Sequence, residues 1–213
     1  MLFIVAIMTP RNASIHRSMD RHSLEETFQS LQFRLADNGA EPVGLVVCGG
    51  SALIVMGLVS RTTKDVDVLA LRQEEVLVSP APLPRSLIQA VGEVAEDLNL
   101  PPDWLNNGPS QGEGGLFQLG LPTGFETRLH KKVYGDRLTV HFAGRVDQVH
   151  FKLYAAVDRG GHHITDLYEL APSHKELLQA ARWSMTHDTS EAFAEMLKRL
   201  LRSIGHGAVA GDL

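Results

Sequence analysis

Residues 44–71, GLVVCGGSALIVMGLVSRTTKDVDVLAL, constrain the fold more than any other part of this chain. An apolar run of β-formers from Gly44 to Cys48 stops at Gly49, Gly50 and Ser51. A short apolar segment follows, and the polar turn Arg61 to Lys64 leads into a second apolar run that carries Asp65 and Asp67. Period-two alternation predicts two strands of one sheet, with Val66 and Val68 turned into the core. Asp65 and Asp67 then share the opposite face, their Cα atoms roughly 6–7 Å apart. Like charges held on one face of an apolar strand repel, and a hard cation between them is the usual remedy. Mg²⁺, or Mn²⁺ in its place, takes one or two carboxylates together with substrate phosphates. The two aspartates are therefore the expected metal ligands and catalytic residues.

The turn before them supplies the complementary half. Glycine lets backbone approach a ligand closely, and the N–H groups that open a helix favour phosphate. Gly49, Gly50 and Ser51 are thus the expected grip on a nucleotide's phosphates, with Arg61 and Lys64 offsetting their charge. The plainer alternatives are a strand-to-helix corner for the turn and solvated turn positions for the two cations.

In this order, GGSAL, an Arg and KDVDV resemble the nucleotidyltransferase superfamily, and more closely the abortive-infection AbiEii-type minimal nucleotidyltransferases of bacteria and archaea. The segment VHFKLYAAVDRGGHHITDLYELAPSHKELLQAARW extends the resemblance to residues 44–183, with Lys152, Asp158, Arg159 and Asp166 as the matching positions. The resemblance implies a mixed β-sheet flanked by helices and an NTP as substrate. It also implies transfer of the NMP group to a hydroxyl of RNA such as tRNA, of a protein or of a small molecule. A toxin-type enzyme with a cognate antitoxin as partner belongs to the same expectation, and Lys152 is placed near the nucleotide phosphates. Read by itself, a lysine between Phe151 and Leu153 either snorkels to solvent or meets an anion. Lys152, Asp158, Arg159 and Asp166 can equally form an ion-pair network joining the C-terminal part to the core.

Active members of the superfamily use a third carboxylate on a neighbouring strand to hold two metals. Asp103, Glu113 and Glu126 are candidates. Asn106-Asn107 takes the place of an acid if WLNN is the matching strand, which would weaken the second metal site. The alternative function is accordingly a nucleotide-binding sensor or partner protein on the same fold.

The rest of the chain fits an α+β domain with a helical C-terminal part: a tail at 1–22, a core at 23–145 and a helical region at 146–213. Ser23 and Glu26 read as a capping box for a helix ending at Asn38-Gly39, and Leu87, Val91, Val94 and Leu98 mark another. Between them Arg72 to Glu75 and SPAPLPRS read as an irregular connection. Asp103 to Gly115 reads as a loop of functional length. Phe125–Tyr134 and Arg137–Ala143 read as a hairpin on the two-residue turn Gly135-Asp136. Asp147, Ser173 and Ser190 are expected helix caps, and Gly160-Gly161 a stop. The histidine pair His162-His163 matches no zinc spacing and reads as solvated loop. MLFIVAIM is too short to span a membrane and lacks the preceding positive charge of a signal peptide. The single cysteine, Cys48, fits a reducing cytoplasm, and a net charge of -5 argues against a broad nucleic-acid-coating face.

Overall fold

The structure is a computed structural model that describes residues 17–213; the apolar run at 1–8 lies outside them. Helix α1 (Arg21–Asp37) is followed by β1 (Val43–Cys48), α2 (Gly49–Val55), β2 (Val66–Gln73), β3 (Val76–Val78) and α3 (Arg85–Leu98). Then come β4 (Leu105–Asn106), α4 (Leu116–Leu119), β5 (His130–Tyr134) and β6 (Leu138–Phe142). The C-terminal part is α5 (Arg145–Arg159), α6 (His162–Leu170), α7 (His174–His187), α8 (Glu191–Ser203) and α9 (Gly207–Gly211). This is the α+β architecture expected from the sequence, a mixed sheet followed by helices.

The strand order is β3-β2-β1-β6-β5, with β4 pairing on the outer side of β2. β1 runs antiparallel to β2 and parallel to β6, and β4 is parallel to β2. Alternation sends Leu45, Val47, Val66, Val68, Val140 and Phe142 to one face, where they join Phe28, Leu31, Leu35, Leu87 and Val94 of α1 and α3 in the main core. Val46, Cys48, Leu69 and Ala70 point to the other face and pack with Phe125, Ala143 and Phe151. That Leu69 and Ala70 share a face reflects a β-bulge: Val46 pairs with Ala70 and Val47 with Val68, leaving Leu69 as the extra residue.

Several local expectations are corrected. The N-cap of α1 is Asp20, whose carboxylate accepts from the Ser23 amide at 2.8 Å while Ser23 Oγ accepts from the Asp20 amide at 2.8 Å, so Ser23 closes the box and does not start it. Arg72 to Glu75 is a hairpin, because Gln73 pairs with Val76 across Glu74-Glu75. Glu74 takes φ +54 there with no glycine or asparagine to announce the turn. Phe125–Arg128 is a 3₁₀ turn and not strand, and the β5–β6 loop has three residues, since Tyr134 pairs with Leu138. Asp147 caps nothing: it lies in the first turn of α5, fully buried, and accepts from Arg128 Nε at 3.0 Å. The caps at Ser173 and Ser190 and the stop at Gly160 are as read. Among the described residues no helix is long and apolar enough to cross a membrane.

Candidate functional site

The sheet presents its second face to a cleft of about 540 Å³, walled by α5 and by the loop from Gly108 to Leu116. Asp67 stands on this face near the start of β2. Its strand neighbours are Cys48 on β1 and Asn106 on β4, both in register with it. Asp65 precedes the strand, exposed at the cleft, and accepts a hydrogen bond from Thr63 Oγ1 at 2.9 Å. The turn that carries it is pinned by Met19, a fully buried residue whose amide and carbonyl bond those of Thr63 at 2.6 and 2.9 Å. The structure therefore brings the two predicted carboxylates into one cleft.

Burial raises the Asp67 carboxyl to about 6, and the Asp65 charge adds to the rise. The Lys152 ammonium, the Arg159 guanidinium and the Asn106 side chain act in the opposite direction. Two carboxylates so placed favour a bound cation, and the same surroundings hold the Cys48 thiol neutral: burial, then Asp67, push it well above the usual thiol range.

Gly49 is required by this arrangement. Its φ is +72, and a Cβ there would run into the Asp67 carboxylate oxygen. Its N–H donates to Oε1 of the fully buried Gln148 at 3.2 Å, which fixes the corner against α5. Gly49→Ala is expected to cost about 1–3 kcal/mol and to push Asp67 out of register with Asn106. Urea unfolding together with Mg²⁺-nucleotide titration checks this; an alanine variant unchanged in both would mean the corner tolerates a side chain.

The other predicted residues divide. Lys152, 4% exposed, lines the cleft and pairs with Asp166 at 2.7 Å. Arg61 does not reach the cleft. Its Nε and Nη2 both donate at 2.8 Å to the two oxygens of Asp166, a fully buried side chain. Burial works to raise the Asp166 carboxyl, but Arg61 and Lys152 overcome it and hold it below the usual range. Gly50 faces this pair from behind, since a Cβ would stand 2.9 Å from Arg61 Nη2. Ser51 is fully buried, its hydroxyl turned back to the Cys48 carbonyl at 3.4 Å, and Lys64 is exposed on the turn. The cleft is thus met by Gly49, Asp65, Asp67 and Lys152, while Gly50, Ser51 and Arg61 form its backing.

Asn106, not Asn107, stands opposite Asp67; the Asn107 amide donates to the Pro80 carbonyl at 2.9 Å. None of Asp103, Glu113 and Glu126 lines the cleft, and Glu126 lies 3.6 Å from Arg72. Among the described residues no three His, Cys, Asp or Glu side chains gather as a metal-holding group. The cleft also takes in Asp158, Arg159 and His163. His163 opens α6 rather than lying in loop. Burial, then Lys152, His162 and Arg159, lower its imidazole to about 4, so it is neutral at pH 7. No spacing rule reveals it. Only the return of the chain at Gly160-Gly161 brings it back beside Lys152.

Residues 22–107 match the model of a family described as a nucleotidyltransferase of unknown function (DUF6036). That stretch runs from α1 to β4 and contains Gly49, Asp65, Asp67 and Asn106, so the similarity to a nucleotidyltransferase family takes in these residues. The comparisons with curated proteins and with solved structures give no match.

Proposed function

We propose that this protein transfers a nucleotidyl group from an NTP to an acceptor hydroxyl, with Asp65, Asp67 and Lys152 as the working residues. The observation that carries the reading is the pair of aspartates, inside the stretch that matches the nucleotidyltransferase family, sharing one cleft with the buried Lys152 that lies beyond that stretch. The donor set fits one Mg²⁺ or Mn²⁺: two carboxylates on one side of the cleft, one of them raised toward neutrality by burial and then by its partner's charge. Asp65 and Asp67 would hold that ion, which when bound neutralises phosphate charge and polarises the α-phosphorus. The set does not fit a second ion, because an amide occupies the register position of a third acid.

The protein's own groups act around the α-phosphate. The acceptor hydroxyl gives up its proton to water, its oxygen attacks the phosphorus, a new P–O bond forms, and the bond to pyrophosphate breaks. Lys152, held rigid by Asp166, places its ammonium where charge gathers on the leaving phosphates. Arg159 adds a second, more exposed positive charge at the cleft. The Gly49 backbone lets the chain approach without a side chain over Asp67, and Gly50, Ser51 and Arg61 keep that corner and the lysine in place. The acceptor class is RNA, tRNA included, or a protein or small molecule bearing a hydroxyl.

The experiment is incubation with α-labelled NTP, Mg²⁺ and separate pools of RNA, protein and metabolites. Label moving to one pool with matching pyrophosphate, and lost in Asp67→Asn, is the expected result. Asn106 favours a second reading, a nucleotide-binding sensor on the same fold. In that case the parent binds Mg²⁺-NTP without labelling any pool, and Asn106→Asp, which restores the third carboxylate, raises transfer from background. Absence of nucleotide binding under any metal would remove both readings.

A further inference from the structure

The lining of the cleft has two chemistries, and α5 separates them. At helical spacing Lys152 and Arg159 fall on one stripe and Phe151 and Tyr154 on its neighbour. The cationic stripe leans toward Asp166 on α6. The aromatic stripe leans toward α7 and α8, where its rings are held from behind. The Tyr154 ring meets Trp183 edge-on at 6.0 Å, His187 at 5.7 Å and Phe193 at 5.6 Å. The Phe151 ring lies 5.7 Å from Trp183 and 6.0 Å from Phe125. Both rings still line the cleft, and Gly114 and Gly115 are among the residues of its loop wall. Aromatic rings and bare glycine backbone lining one cleft offer a slot to a flat ligand, beside the groups suited to phosphate.

We infer that Phe151 and Tyr154 form the platform on which the base of the NTP stacks, with the backbone of Gly114 and Gly115 closing the slot. The inference rests on the nucleotidyl-transfer reading of the same cleft. Recognition by stacking accepts every base, since each has a π-face, and favours purines by their larger area.

The test compares ATP and UTP with inorganic tripolyphosphate, each with Mg²⁺, by calorimetry and by tryptophan emission. ATP is expected to bind about tenfold or more tighter than tripolyphosphate, with UTP between them. Emission should change with ATP and not with tripolyphosphate. Trp183 touches both platform rings, whereas Trp104 is fully buried with its indole N–H on the Val91 carbonyl at 3.0 Å. Tyr154→Leu keeps an apolar side chain but removes the π-face, and should erase most of the ATP advantage while leaving tripolyphosphate affinity as it was. Should that change disturb the cluster, Gly114→Leu reaches the slot from the loop, where a Cβ meets nothing within 4 Å; it should erase the same advantage with no loss of melting temperature. ATP and tripolyphosphate binding alike, or an ATP advantage that survives in both variants, overturns the platform and leaves the transferase reading standing. If neither ligand binds, the transferase reading falls and the platform with it.

Discussion

Asp67→Asn is expected to make the metal-free protein more stable while making it inert toward nucleotide. In the folded state the Asp67 carboxyl titrates at about 6, above the ordinary 3.8. Folding therefore favours the protonated form. From this group stability is highest below about pH 4, falls as pH rises to 6 and is level above that. The shift sets a ceiling of about 3 kcal/mol, and solvent at the partly exposed carboxylate brings it nearer about 2 kcal/mol. An amide has nothing to lose. In EDTA the variant should gain about 2 kcal/mol at pH 7.5 and none at pH 4, measured by urea unfolding. With Mg²⁺ and NTP at about a hundred times their dissociation constant the parent should gain about 2.7 kcal/mol, a rise of roughly 5–10 °C, and the variant nothing. Parallel pH profiles for the two proteins, or an equal rise with Mg²⁺-NTP, would show that Asp67 neither carries the strain nor holds the ion.

Removing Asp166 should be the most damaging single change near the cleft. It is fully buried and answers two cations, Arg61 through both oxygens and Lys152 through one. Asp166→Ala leaves both without a counter-charge, and the expected cost is about 3–5 kcal/mol. Lys152→Met should behave differently: Asp166 keeps Arg61, stability falls by no more than about 1 kcal/mol, and transfer is lost. A double-mutant cycle on the two changes reads their coupling directly. An Asp166→Ala variant as stable as the parent would mean that water, not protein, compensates the two cations.

The sequence showed the parts of this site that depend on alternation and missed those that depend on pairing. Asp65 and Asp67 were legible because period-two spacing puts them on one side wherever the strand sits, and the valines say which side is core. Lys152 came through its place in an apolar helix and through the family resemblance. The partner of Arg61 was not legible, because Asp166 lies 105 residues away and only the packing of α6 on α5 brings it near. So too for Asn106: in WLNN either asparagine fits, and a two-residue strand has too little periodicity to choose, until pairing with Val66 and Asp67 sets the register. The helices α1, α3, α5 and α8 followed their apolar stripes. The β2–β3 hairpin was hidden because its turn is built from glutamates.

The bulge at Leu69 makes the position of Asp67 a matter of counting. If Ala70 to Val66 paired with β1 without the extra residue, Val68 would stand beside Cys48, and Asp67 would point into the core under α1 and α3. The carbonyl of Leu69 is also the point where the fully buried Ser110 hydroxyl anchors the cleft loop, at 2.6 Å. Deleting Leu69 would close the bulge with Asp67 still beside Cys48 and take away the carbonyl that holds the loop, whereas one more residue between Asp67 and Val68 would turn the carboxylate into the core with every site residue still present in the text of the gene. An insertion within β2 can therefore silence the site with both acids unchanged in the sequence.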